Sequence, residues 1–337
     1  MSDHNANKIL KAAIHNDLEF IKNLKQFCPD FHWQNIRQLK SEETALHYAC
    51  DGGYYDLVRY LLTYFEPRTV NVQTSNLKTP LHCAAQFCHY NVVQLLIDFG
   101  ADVNALKNGD WTPVMLACMK TGENAFRTID ILVRNKANLT HKNYEGWTAF
   151  MLACREGDLQ IVKYLADANP YPIATANRKK RYPIHIACLH GHLKIVEEIL
   201  NRHDSDRYEN ILEVKDSSGH LPFHDAVLSG DTQLVQYLIS CKGADPTATN
   251  NEGWNALHLA AGAGLNEMVE YLITDLKFDP NSLTTDKKEI TPLHCAAHSG
   301  CQSTMELLER LNADPTLCDW KSRTPKELYQ NSIHLKK

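Results

Sequence analysis

No stretch of this 337-residue chain approaches the roughly 18 consecutive apolar residues of a membrane-crossing helix. Met1-Ser2-Asp3-His4 has neither the basic nor the apolar region of a secretory leader, so a soluble protein of the cytoplasm, and of the nucleus, is expected. A large excess of either charge is also missing. The formal net charge of -5 excludes the global basic field on which nucleic-acid binding usually rests and leaves only local patches for it. There is no glycine-rich phosphate loop, no pair of catalytic carboxylates and no nucleophile elbow. An enzyme is not expected.

Cysteine is not scarce, at eleven residues, but the signs of a disulfide framework are absent. Cys50, Cys118, Cys154 and Cys188 recur at one position that elsewhere holds Ala85, Ala261 and Ala297. Such a position selects a small buried side chain, which a reduced thiol supplies. Cys83 with Cys88-His89 looks like half a zinc site, yet no second half follows at ligand spacing, so neither metal nor any other cofactor is expected.

What the chain does have is self-similarity. Thr44-Ala45-Leu46-His47, Thr79-Pro80-Leu81-His82, Thr112-Pro113-Val114-Met115, Thr148-Ala149-Phe150-Met151, Tyr182-Pro183-Ile184-His185, Leu221-Pro222-Phe223-His224, Asn255-Ala256-Leu257-His258 and Thr291-Pro292-Leu293-His294 recur at intervals of 33 to 39 residues. Each residue type has a task. The leading hydroxyl caps a helix, proline at the first helical position forfeits no hydrogen bond, and leucine points into the core. Small pairs such as Ala84-Ala85 and Ala296-Ala297 let helices approach, and Gly52, Gly157, Gly191, Gly230 and Gly300 stand where a left-handed helix cap is expected. A second apolar-periodic helix follows, as in Ile161-Val162-Lys163-Tyr164-Leu165. Asp216-Ser217-Ser218-Gly219 and Asn250-Asn251-Glu252-Gly253 read as tips of projecting hairpins.

The pattern resembles the ankyrin-repeat family, whose period is about 33 residues with a T-P-L-H signature. The resemblance implies an all-α solenoid of stacked helix-turn-helix units with projecting β-hairpin loops. One domain over 1–337 is expected: an N-terminal cap and first hairpin over 1–40, eight repeats over 41–320, and a half-repeat cap over 321–337, where Lys326 and Glu327 replace the buried leucine and histidine. Six of the seventeen histidines are signature residues and read as packing groups. The longer interval covering Arg202 to Tyr208 reads as a surface insertion.

Function then falls to surface positions, with a monomeric scaffold for a protein partner as the expectation. Repeats three and four carry Met115 and Met151 for the signature histidine, with Trp111 and Trp147 before the capping threonine. The rings are either supports packed over the hairpin base or anchors for a partner, with Lys107 and Lys142 beside them. Arg178-Lys179-Lys180-Arg181 is either a solvated loop or a contact for an acidic surface or RNA.

Within the family, Leu106-Lys107, Asp110-Trp111-Thr112-Pro113, Gly146-Trp147, Arg155-Glu156-Gly157-Asp158 and His190-Gly191-His192-Leu193 are similar to the subfamily of ankyrin repeat domain-containing protein 16. That resemblance implies binding to the catalytic domain of alanyl-tRNA synthetase and support of translational fidelity, with wrongly activated serine captured on lysines. The subfamily's acceptor positions fall here on Asn108, Tyr144 and near Ala174. Lys107, Lys142 and Lys179 are the neighbouring lysines that could serve instead.

Overall fold

The computed structural model describes residues 3–27, 36–64, 70–169, 172–202 and 210–335. Part of the first hairpin and the insertion after Arg202 lie outside the described residues. Those described form nineteen α-helices and, in place of extended hairpin strands, turns with one isolated antiparallel bridge between Lys107 and Trp111. They gather into two compact units, Met1–Pro172 and Ile173–Lys337.

The first unit opens with α1 (Asp3–Ile14) and α2 (Leu18–Phe27). Four pairs follow: α3 (Ala45–Asp51) with α4 (Tyr55–Tyr64), α5 (Pro80–Gln86) with α6 (Tyr90–Asp98), α7 (Pro113–Ala117) with α8 (Glu123–Arg134), and α9 (Ala149–Glu156) with α10 (Leu159–Ala168). First helices pack on first helices from α1 to α9, and second helices on second helices from α4 to α10. The second unit repeats this with α11 (Pro183–Leu189) and α12 (Leu193–Arg202), α13 (Pro222–Ser229) and α14 (Thr232–Lys242), α15 (Ala256–Ala263) and α16 (Asn266–Thr274), and α17 (Pro292–Ser299) and α18 (Gln302–Arg310). The lone α19 (Pro325–Leu335) closes it by packing on α17.

The signature sets each helix start and ties neighbouring repeats together. At α5, the Thr79 hydroxyl accepts from the His82 amide, while the Thr79 amide donates to His82 Nδ1 at 3.2 Å. Where Nδ1 accepts an amide in this way, as at His47, His82, His185, His224 and His294, Nε2 carries the proton, and at all six signature histidines Nε2 bonds a carbonyl of the following hairpin. These bonds run from His47 to Lys78 O (3.0 Å), His82 to Trp111 O (3.0 Å), His185 to His220 O (3.2 Å), His224 to Ala248 O (3.0 Å), His258 to Ile290 O (3.0 Å) and His294 to Arg323 O (3.1 Å). The six rings are buried. Burial pushes His47, His82, His185, His224 and His258 down to about 4, so they stand neutral as structural staples. Met115 and Met151 are fully buried in their place and make no such bond.

The recurring thiols Cys50, Cys118, Cys154 and Cys188 are free and fully buried. One glycine departs from expectation. Gly52 caps α3 with a right-handed backbone (φ -79°), and the left-handed residue is Gly53 (φ 70°). At Gly52 a side chain would meet the Tyr54 ring, so glycine serves there for close approach. At the C-terminal end, Thr324 and Glu327 form a reciprocal cap, with the Glu327 carboxylate accepting from the Thr324 amide at 2.8 Å. Glutamate thus stands where other repeats carry the signature histidine, and its carboxylate completes the capping box.

Candidate partner-binding clefts

Seven hairpins close with a bond from one residue's amide to the carbonyl four residues on: Thr74 to Lys78, Lys107 to Trp111, Asn143 to Trp147, Asn177 to Arg181, Asp216 to His220, Asn250 to Trp254 and Asp319 to Arg323. Six of these opening residues carry a short oxygen-bearing side chain that also accepts from amides inside the turn; Asn177 Oδ1, for instance, takes those of Lys179 and Arg181 at 3.0 Å each. Such Asx-type closure is the reason these residues sit there. Lys107 is the exception, placing a donor where the others place an acceptor.

That exception opens the first cleft. The Lys107 ammonium lies 5.9 Å from the centre of the half-buried Trp111 ring. Together with Gln86 at the end of α5, and Leu116, Met119 and Lys120 on and beyond α7, they line a cleft of about 350 Å³. Burial, reinforced by the charge of Lys78, holds the Lys107 ammonium below the ordinary lysine value. Lys78 itself is paired with Asp51 at 3.2 Å.

One hairpin on, Trp147 is also half-buried, and the Arg155 guanidinium lies 5.7 Å from its ring centre. Arg155 is paired with Glu156 at 2.6 Å. The two hairpins stack through the Tyr144 amide, which donates to Gly109 O at 2.9 Å, so Trp111 and Trp147 hold equivalent positions in adjacent repeats of one unit. Tyr144, at the hairpin tip, is 62% exposed, and Asn108 and Lys142 are exposed beside it.

The basic hairpin belongs to the second unit. Arg178, Lys179 and Lys180 are exposed there. Arg181 turns inward: its Nε donates to Asp216 Oδ2 at 3.1 Å and its Nη2 to Asp225 Oδ1 at 3.2 Å. Burial would raise Asp216, but the His220 and Ser218 amides and Arg181 outweigh it and hold that carboxyl below its ordinary value. Asp225 is completely enclosed. Its burial pushes it up to about 7 against the pull of Arg181, and its Oδ2 has no hydrogen-bond partner. Arg181 therefore serves the fold, where the sequence grouped it with the outward cations.

A second cleft, of about 380 Å³, lies between Trp254 and Trp320 over Ile290, Cys295 and Leu328, with Glu252 and Asp319 among its walls. Trp320 is 56% exposed, and the Lys321 ammonium sits 4.6 Å from its ring centre. Sequence reading passed over Trp320. The available signal was its register: it stands two residues before the left-handed Ser322, as Tyr144 stands two before Gly146.

Of the residues considered for a metal, Cys83 and Cys88 are buried, and His89 bonds the Asp51 carbonyl at 2.9 Å. Among the described residues no cluster of three or more metal-ligating side chains occurs, and no helix is long and apolar enough to cross a membrane.

The stacked helix pairs with histidine staples define an ankyrin-repeat protein, and comparison with known sequences agrees. The family described as ankyrin repeats (3 copies) matches residues 9–107, 100–175, 172–250 and 223–319. The chain belongs to the ankyrin-repeat family, whose stacked repeats form scaffolds that bind protein partners. It is similar to the human transient receptor potential cation channel subfamily A member 1, with 28% identity over 70% of this chain and 21% of the channel. Similar too are the Caenorhabditis elegans ankyrin repeat and KH domain-containing protein mask-1 (27%, over 86% of this chain and 11% of that protein) and the mouse B-cell lymphoma 3 protein homolog (27%, over 68% and 43%). The chain thus spans less than half the length of each of these relatives. What they share with it is the repeat array.

Proposed function

We propose that this chain is a non-catalytic cofactor that binds the catalytic domain of alanyl-tRNA synthetase in the cytoplasm and nucleus, and limits serine mischarging of tRNA(Ala). The reading rests on the likeness of repeats three to five to the synthetase-cofactor subfamily. The observation that carries it is the Trp111 cleft, where a half-buried ring and a desolvated lysine sit side by side in a water-accessible cavity. Tryptophan is among the residue types most enriched at interface hot spots. The exposed basic hairpin offers only three outward cations, since Arg181 is held by Asp216 and Asp225. Direct RNA binding is accordingly set aside.

A second reading, stoichiometric capture of serine, is favoured at one position. Lys107 is held below the ordinary lysine value by burial, which raises the fraction of neutral amine available to attack seryl-adenylate. Amide formation would break the acyl–phosphate bond and release AMP. Lys142 and Lys179 are exposed and have no comparable enclosure.

Titration of the purified synthetase catalytic domain into this protein tests the first reading. Saturable binding that Trp111→Ala weakens is expected; absence of binding removes the synthetase as partner. Intact-mass measurement after incubation with synthetase, ATP and serine tests the second. A seryl adduct on Lys107 supports capture, and an unchanged mass rejects it.

A further inference from the structure

The walls of the Trp111 cleft carry two ammonium groups, Lys107 and Lys120, and no carboxylate. Its nearest further cation, Lys78, already has Asp51 as partner. The equivalent tryptophans differ: beside Trp147 the guanidinium of Arg155 is compensated by Glu156, and the Trp254 cleft includes Glu252 and Asp319. Of the equivalent tryptophans Trp111, Trp147 and Trp254, Trp111 is thus the one whose neighbouring cations have no carboxylate among the residues around the ring.

The placement of Lys107 sharpens this. It occupies a position where six other hairpins use threonine, asparagine or aspartate to close the turn, so the chain gives up a local stabilising bond to put a cation there. A local rule broken in this way is what functional or strained positions show. Opposite the lysines, Trp111, Leu116 and Met119 supply an apolar wall.

We propose that the Trp111 cleft recognises a carboxylate set beside an apolar side chain, so that its occupant is an acidic protein segment carrying one aliphatic or aromatic anchor. The inference rests on the reading of this cleft as a partner-binding site and names the chemistry it selects. The anchor packs on Trp111 and Met119, and the carboxylate takes the Lys107 and Lys120 ammonium groups. Burial already disfavours the charged form of Lys107, so an arriving carboxylate is rewarded more than at an exposed lysine.

The test is selection of a random peptide library of about twelve residues against the intact protein, with counter-selection on Trp111→Ala. Enrichment of sequences with Asp or Glu within about four residues of Leu, Ile, Phe or Trp is expected. Affinity of those peptides should fall about tenfold or more in Lys107→Met/Lys120→Met; neither lysine is buried in the core, so an unchanged melting temperature is expected of that variant. Neutral or basic enriched motifs, acidic motifs indifferent to the double substitution, or no enrichment over Trp111→Ala would each overturn the proposal. If peptides fail while Trp111→Ala still weakens binding of the synthetase domain, the cleft remains a binding site and only the carboxylate preference falls.

Discussion

His82 Nε2 donates to the Trp111 carbonyl oxygen at 3.0 Å, so a buried imidazole of one repeat holds the backbone beneath the half-buried aromatic of the next. The same bond, repeated at five other signature histidines, makes the hairpins part of the core's hydrogen-bond system. At His47, His82, His185, His224 and His294 the ring is neutral, because Nδ1 accepts a backbone amide while Nε2 donates.

This arrangement predicts acid sensitivity. Five staples have folded-state values of about 4, against about 6.5 in an unfolded chain. Between those limits the unfolded state binds more protons, so stability is fully present above about pH 6.5 and is lost as pH falls toward 4. Urea midpoints measured from pH 7.5 to 4.5 should decline steeply below 6.5. A flat profile would show that the rings are not neutral staples.

The Arg181 pairing predicts an asymmetry between two substitutions. Arg181→Ala leaves Asp225 buried without its cation and should destabilise by about 3 kcal/mol at pH 8, because a lone buried charge is costly. The loss should shrink at pH 6, since Asp225, pushed up to about 7, then takes a proton. Asp225→Leu places there the residue found at the equivalent positions Leu116, Leu152 and Leu259, and should be neutral or stabilising. Chemical denaturation of both variants at the two pH values decides it; equal losses at pH 6 and 8 would contradict the assignment.

For the tryptophans the expected outcome is loss of binding with folding retained. Both Trp111 and Trp147 are half-buried, so truncation to alanine should remove a partly accessible anchor, about 2 kcal/mol of partner affinity, without emptying a core. Affinity and melting temperature measured on the same variants separate this from hairpin collapse. In that case both would fall together, with about 3–5 kcal/mol lost from stability.

Leu257→Ala probes the repeat logic within the second unit. Leu257 is fully buried in α15, which packs on α13 and α17. The cavity should cost about 2–5 kcal/mol. Hydrogen-exchange protection should drop first in α13, α15 and α17, as nearest-neighbour coupling requires. Uniform loss along the unit would indicate a single cooperative block.

Much of the fold was legible in the residues themselves, because an ankyrin unit uses short-range rules. Thr79 caps the helix that Pro80 opens, Leu81 and Ala84 face inward, and all of this lies within a few residues. The terminal departure at Lys326 and Glu327 was readable for the same reason, since both residues are exposed in α19. Gly52 was misread because glycine serves two purposes, left-handed backbone and close approach, and only the Tyr54 ring packed beside it shows which applies.

The amino-acid sequence by itself determined the repeat, its helix starts, the small buried positions and the family, since each depends on neighbours within about one period. Tertiary structure alone decided which cations are available. Arg181 and Lys180 are adjacent in the chain, yet one is drawn inward by Asp216 and Asp225 from the next repeat while the other stays in solvent. Lys107 likewise looks like any hairpin lysine until Trp111, Leu116, Met119 and Gln86 enclose it. The carboxylates that hold Arg181 lie 35 and 44 positions along the chain, and the walls around Lys107 come from two successive helix pairs, so no pattern within one repeat encodes either.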